Sequence, residues 1–469
     1  MRIEQIYTGC LAQGAYYIEC CDEAVVIDPL REVQPYIDRA EAGGKKIKYI
    51  FETHFHADFV SGHVTLSEKT GAPIVFGPNA NPKFDAHIAQ DGEVFKVGKV
   101  TIEVLHTPGH TMESTTYLLR DKEGNPHAIF TGDTLFLGDV GRPDLAQKGA
   151  DITQEDLAGI LFDSLRQKIM TLPDDVIVYP GHGAGSACGK NMSSETVGSI
   201  GDQKANNYAL RADMTKEEFV AEVTDGLLPP PAYFPLNVKL NKEGYASIDD
   251  VLDQGTRGLS PDAFEAAANE TGAVVLDVRD KDAFRKAHVP RSTFIGLDGN
   301  FAPWVGTMIV DVQQPILLVC DAEKVNEAVT RLSRVGFDQV LGHLEGGVGA
   351  WQAAGKEVDR IESIPAGELA RLKKGAGIAV IDVRKPSEYA SEHVIDAESI
   401  PLAELNVHLA EFPKDQTFYV HCQTGYRSLI AGSVLKARGY HNGIDVLGGF
   451  EAIKETDTPV SDWVCPSTL

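Results

Sequence analysis

Short apolar runs, separated by polar and glycine-rich stretches, set the rhythm of this chain. In the first half they read AVVIDP from Ala24, KYIFETH from Lys48, VTIEVLHTPGH from Val100, HAIFTGD from His127 and DVIVYPGHG from Asp175. Each predicts a buried strand that ends in polar or metal-ligating residue types. Strand ends are where α/β folds place their chemistry. The pattern breaks at Pro229, Pro230 and Pro231, which cannot continue a helix or a central strand and predict a stiff linker.

Beyond the linker one pattern occurs twice. VVLDVRDKDAFRKAHVPRSTFIGL starts at Val274, and AVIDVRKPSEYASEHVIDAESIPL starts at Ala379. Asp277, Arg279 and His288 match Asp382, Arg384 and His393 at a constant offset of 105 positions, a domain-sized duplication rather than a solenoid. Each copy continues with an apolar strand ending in cysteine (PILLVC, TFYVHC), then a helix, a GF or GY pair and a GG turn. Alternating strands and helices predict a parallel sheet covered by helices. The expected division is 1–240, 241–358 and 359–469. It agrees with the roughly 150 residues per domain that suggest about three domains in a chain of 469 residues.

Charge narrows the partners. The formal net charge of -25 repels phosphate backbones and anionic lipid, so no nucleic-acid or membrane partner is expected. The start, MRIEQIYTGC, has neither the basic nor the apolar region of a signal peptide, and no apolar run is long enough to span a bilayer. The 7 cysteines are odd in number and scattered, which reads as reduced thiols in a cytoplasm.

Five fragments gather metal-ligand types: THFHADF (Thr53 to Phe59), TPGHTMES (Thr107 to Ser114), TGDTLF (Thr131 to Phe136), GRPDL (Gly141 to Leu145) and YPGHG (Tyr179 to Gly183). Imidazoles with a carboxylate suit a first-row transition metal. In these fragments the chain resembles the metallo-β-lactamase superfamily, whose fold is an αβ/βα sandwich. Dinuclear hydrolases of that superfamily, such as glyoxalase II, carry a further histidine directly after the position of Asp58. Phe59 stands there, so the resemblance favours one metal, while Asp58 and His182 leave a second, weak site open. The ES after His110 resembles the persulfide dioxygenases. That resemblance implies one Fe(II) per chain on His54, His110 and Asp133, with His56, Asp58 and His182 around them. It also implies Arg142 near the substrate's carboxylates.

HCQTGYRS, His421 to Ser428, follows an apolar strand and precedes the helical pattern SLIAGSVLKARG. A thiol in a turn of backbone N–H groups at a helix N-terminus is stabilised as thiolate or persulfide, and Arg427 adds positive charge. Cys422 to Arg427 resembles the six-residue active loop of the rhodaneses, or sulfurtransferases. The first copy reads CDAEKVN from Cys320: it lacks the glycine and arginine, and adds Asp321 and Glu323, which disfavour a thiolate. It is expected to be inactive. Cys188, in a glycine-rich loop after His182, is a candidate sulfur-handling thiol.

The whole resembles a persulfide dioxygenase–rhodanese fusion: an αβ/βα sandwich followed by two rhodanese-like parallel α/β domains, the first inactive. The expected partners are a small thiol persulfide, O₂, and sulfite or thiosulfate, in a homo-oligomer. The rival enzyme is a zinc thioester hydrolase of the glyoxalase II type with an appended sulfurtransferase. The rival from another class is a sulfur carrier or sensor with a structural metal.

Overall fold

The computed structural model describes every residue except 146–151, 191, 228, 376 and 466–469. The chain forms two compact units. The first is Met1–Asp250 with Leu332–Phe337, and the second is Val251–Arg331 with Asp338–Leu469.

The first unit holds two six-stranded sheets. One runs in the order Arg2–Thr8, Gln13–Cys20, Glu23–Ile27, Lys46–Glu52, Ile74–Phe76, His87–Ile88; the other runs Gly198–Ser199, Ile177–Pro180, Pro126–Gly132, Thr115–Arg120, Val100–His106, Val94–Val97. Alternate side chains of each strand face inward, so Tyr16 and Phe51 of one sheet meet Tyr117 and Phe130 of the other in one buried cluster. The opposite faces are covered by helices: Gln34–Ala42 and His63–Thr70 on one, Gln154–Ser164 and Lys216–Thr224 on the other. This is the αβ/βα sandwich.

Two parallel pairings place the chemistry. Glu23–Ile27 pairs parallel with Lys46–Glu52, so Asp28 and His54 leave their strands at one edge. Pro126–Gly132 pairs parallel with Ile177–Pro180, which does the same for Asp133 and His182. The three prolines lie in irregular chain before the helix Phe234–Glu243. That helix crosses the expected boundary at residue 240 and stays with the first unit.

The second unit contains two five-stranded sheets, parallel throughout and with one strand order. In the first copy it is Gly258–Leu259, Val340–Leu344, Ile316–Val319, Val274–Asp277, Thr293–Phe294; in the second, Ser363–Pro365, Gly443–Leu447, Phe418–His421, Ala379–Asp382, Glu398–Ser399. The repeated Asp, Arg and His are structural. Arg279 Nη2 donates to Asp277 (2.6 Å) and to the Ala287 carbonyl (2.9 Å), and Arg384 Nη2 donates to Asp382 (2.6 Å) and to the Glu392 carbonyl (2.7 Å). His288 stacks on Phe284 and His393 on Tyr389, each with ring centroids 4.0 Å apart. Among the described residues no helix is long and apolar enough to cross a membrane.

Candidate metal centre and thiol loop

His54, His110 and Asp133 converge from three strand ends, with donor atoms all within 4.8 Å of one another. Asp133 Oδ2 lies 3.6 Å from His110 Nε2 and 3.9 Å from His54 Nε2. Donors at 2.0–2.2 Å from one metal stand about 3 to 3.5 Å apart, so a small inward movement completes a site. The remaining ring nitrogens are tied back. His110 Nδ1 donates to the Arg142 carbonyl at 2.8 Å. His54 Nδ1 lies 3.0 Å from Thr53 Oγ1, which donates to Asp28. Both Nε2 lone pairs are thereby left to face the carboxylate, as metal-binding histidines require. Asp133 Oδ2 has no hydrogen-bond partner among the described residues, although it is buried. An orphaned acceptor facing two imidazole lone pairs fits a cation.

The electrostatics agree. Burial opposes a charge on Asp133, yet His182, His54 and His110 hold its carboxyl far below the usual range. Burial, with His56 next, pushes His54 towards its neutral, ligating form. Backbone approaches this cluster closely. A Cβ at Gly141 would stand 1.9 Å from the Asp133 carbonyl, and one at Gly181 would stand 2.7 Å from Asp133 Oδ1.

His56 is beside the triad but outside it. Its Nε2 lies 3.1 Å from Asp28 Oδ1 and 3.5 Å from Glu52 Oε2. Burial opposes its charge, but those carboxylates push it up to about 10. The Phe59 ring packs 4.3 Å from the His56 ring and offers no donor. His182 donates through Nδ1 to Asp133 Oδ1 (2.7 Å), and its Nε2 lies 2.8 Å from Asp58 Oδ2. Cys188 joins Asp58 and His182 within 4.8 Å, and burial, then Asp58 and Asp133, push its thiol well up. Its loop is clamped by Arg142, whose backbone N–H donates to the Cys188 carbonyl and whose guanidinium donates to the Ala187 carbonyl and, through two nitrogens, to Asp144.

Asn241 escaped the sequence reading. It donates to the carbonyls of His56 (2.8 Å) and Phe59 (2.7 Å) and accepts from the Ser61 N–H (2.8 Å), which pins the THFHADF loop. Nothing in the local pattern marks it. Glu52 and His63, whose Oε1 and Nδ1 lie 3.2 Å apart, were missed too; the signal was a carboxylate inside an apolar strand.

In the second unit, Cys422 follows the strand Phe418–His421 and precedes the 12-residue helix Tyr426–Ala437. Its Sγ accepts the Gly425 N–H at 3.2 Å. Gly425 has φ +94, the left-handed turn that aims this N–H at the sulfur. The loop is braced by Phe450 and Glu451, whose N–H groups donate to the Cys422 and Gln423 carbonyls. Arg427 is held by Glu388 through two bonds of 2.6 and 2.8 Å.

The metallo-beta-lactamase superfamily profile matches residues 8–182, and the rhodanese-like domain profile matches residues 260–354 and 365–456. The persulfide dioxygenase ETHE1 of Homo sapiens is 31% identical over 47% of this chain and 78% of its own length. The chain belongs to the metallo-β-lactamase superfamily, fused to two rhodanese-like domains. A metallo-beta-lactamase of Staphylococcus aureus is 31% identical to this fusion, with a TM-score of 0.64 over 73% of this chain and 98% of that one. A hydroxyacylglutathione hydrolase of Polaromonas sp. is 34% identical over 39% of this chain and 66% of its own length. The superfamily part thus has relatives named for oxidation and for hydrolysis, and the site residues have to decide between them.

Proposed function

We propose that this fusion is a non-haem iron persulfide dioxygenase joined to a sulfurtransferase, and that the pair detoxifies sulfide-derived persulfides. The observation that carries the reading is the convergence of His54, His110 and Asp133 beside a ring, Phe59, that offers no second metal a ligand. Two histidines and one carboxylate form the facial set that leaves coordination positions open for substrate and O₂. Fe(II), one per chain, would supply the electron transfer between persulfide and O₂ that redox-inert zinc does not. The overall change is thiol persulfide plus O₂ and water to thiol plus sulfite.

The chain's own groups do the rest. The Arg142 carbonyl and Thr53 hold the two imidazoles in the ligating tautomer. His182 fixes the second oxygen of Asp133, and Asp58 fixes His182. The sandwich buries these side chains and so limits water. Arg142, held by Asp144, would be the group that meets a substrate carboxylate. In the sulfurtransferase, the Cys422 thiolate attacks the sulfane sulfur of a persulfide and the carrier thiol leaves. Sulfite then takes that sulfur as thiosulfate, and the thiolate is restored. The Gly425 N–H and the helix N-terminus stabilise the sulfur anion in both states. In this reading the three domains divide near 240 and 358, and the protein works as a cytoplasmic homo-oligomer.

The hydrolase relative favours a second reading, zinc-dependent thioester hydrolysis. One experiment separates the two: metal analysis of anaerobically purified protein, with O₂ consumption on a panel of persulfides. About one iron per chain with persulfide-dependent O₂ uptake is expected. Two zinc ions with thioester hydrolysis and no O₂ uptake would replace the proposal.

A further inference from the structure

A third imidazole stands against the metal cluster and takes no part in it. The His56 ring centroid lies 4.2 Å from that of His54. Its Nε2 is turned towards Asp28 Oδ1 (3.1 Å) and Glu52 Oε2 (3.5 Å). Glu52 is itself fixed from behind. Its Oε1 accepts from Ser61 Oγ and lies 3.2 Å from His63 Nδ1. His63 is wedged among the rings of Phe76, Phe84 and Tyr245, so it cannot swing away. Asp28 is committed elsewhere, to the N–H and hydroxyl of Thr53. Glu52 gives one oxygen, Oε1, to Ser61 and His63 and turns the other, Oε2, to His56. It ends the otherwise apolar segment YIFE, where a buried carboxylate carries a desolvation cost that needs a return.

We propose that Glu52, backed by Ser61 and His63, is a positioning residue that holds His56 out of the metal's coordination sphere and keeps the site at two imidazoles and one carboxylate. The inference rests on the dioxygenase reading and deepens it. A third imidazole would occupy one of the positions that substrate and O₂ need, and would shift the donor set towards one that suits four-coordinate zinc. Glu52 therefore sets metal preference and open coordination without touching metal or substrate.

The test uses the full chain loaded anaerobically with Co(II), whose visible absorption strengthens severalfold on going from six-coordinate to four-coordinate. X-ray absorption on the same samples counts imidazoles. The wild type should absorb weakly and show two imidazoles. Glu52→Leu should absorb severalfold more strongly and show a third. The double variant Glu52→Leu/His56→Ala should return to the weak spectrum, which general disruption of the site would not produce. Three imidazoles in the wild type would overturn the proposal even if the variants failed to fold. An unchanged Glu52→Leu spectrum, or a strong one that survives loss of His56, would overturn it as well. Failure of the dioxygenase reading looks different: iron-loaded wild type would consume no O₂, whatever the cobalt spectra show.

Discussion

The two rhodanese-like copies share a sheet and differ in one loop. Cys320 and Cys422 each follow the third strand of the same five-strand order, and each precedes a helix. Behind Cys422 the chain turns through Gly425 and gives the sulfur an N–H. Behind Cys320 it runs into the short turn Ala322–Lys324 and the helix Val325–Ser333. There burial, then Asp321, Asp277 and Glu323, push the thiol up to about 12. The shared Asp–Arg and His–aromatic pairs maintain the fold in both copies, while a few residues after the cysteine set what surrounds each sulfur. Fold and chemistry are separable here.

The first copy still serves the second. The Tyr426 hydroxyl, inside the Cys422 loop, donates to the Gly296 carbonyl at 2.8 Å, and its ring packs on Phe294. Ser433 Oγ, on the helix Tyr426–Ala437, accepts the Phe294 N–H. Asp445 accepts from both Ser428 and Arg285. The first copy thus buttresses the helix whose N-terminus faces Cys422.

The contrast can be broken at several points. Cys422→Ser should abolish sulfur transfer from thiosulfate to cyanide, whereas Cys320→Ser should leave it within about twofold; the reverse pattern in that assay would invert the assignment. Gly299→Ala places a Cβ 2.3 Å from the Tyr426 ring. A displaced tyrosine should lower sulfur transfer roughly tenfold and stability by about 1–3 kcal/mol, with O₂ uptake unaltered. Transfer kinetics beside a urea titration would show it, and an unperturbed transfer rate would remove the buttress. Tyr426→Phe, which loses one hydrogen bond, should cost only about 1 kcal/mol in the same titration.

The smallest effect concerns pH. A folded Cys320 thiol near 12 keeps its proton where the unfolded thiol, near 9, has lost it. The folded state then binds more protons between these values, so stability should fall as pH rises from about 9 towards 12. Cys320→Ser should flatten that part of a pH-stability curve, and an identical slope in the variant would count against the raised thiol.

Much of this was legible in sequence because the signals are local. Strands end in ligands, so HAIFTGD and DVIVYPGHG already place Asp133 and His182 at strand ends. The repeat offset reveals two sheets, and the CQTGYR loop reads as a thiol cradle. What was not legible lies in contacts between distant segments. Asn241 reaches His56 across 185 positions from a helix that follows the proline run. Glu388 holds Arg427 from 39 positions away. Arg142 turns to Asp144, two residues on, a choice of rotamer that composition does not determine. The contacts of His56 with Asp28 and Glu52 were equally hidden, because Glu52 sits at the end of an apolar strand.

The central claim is that one chain runs two sulfur reactions in series, iron-dependent oxidation followed by transfer to its product. The most direct measurement is product analysis with excess persulfide and O₂, comparing the intact protein with Cys422→Ser at matched O₂ uptake. The intact protein should accumulate thiosulfate, and Cys422→Ser should accumulate sulfite in its place. Equal sulfite from both, after correction for the spontaneous reaction of sulfite with persulfide, would contradict the account.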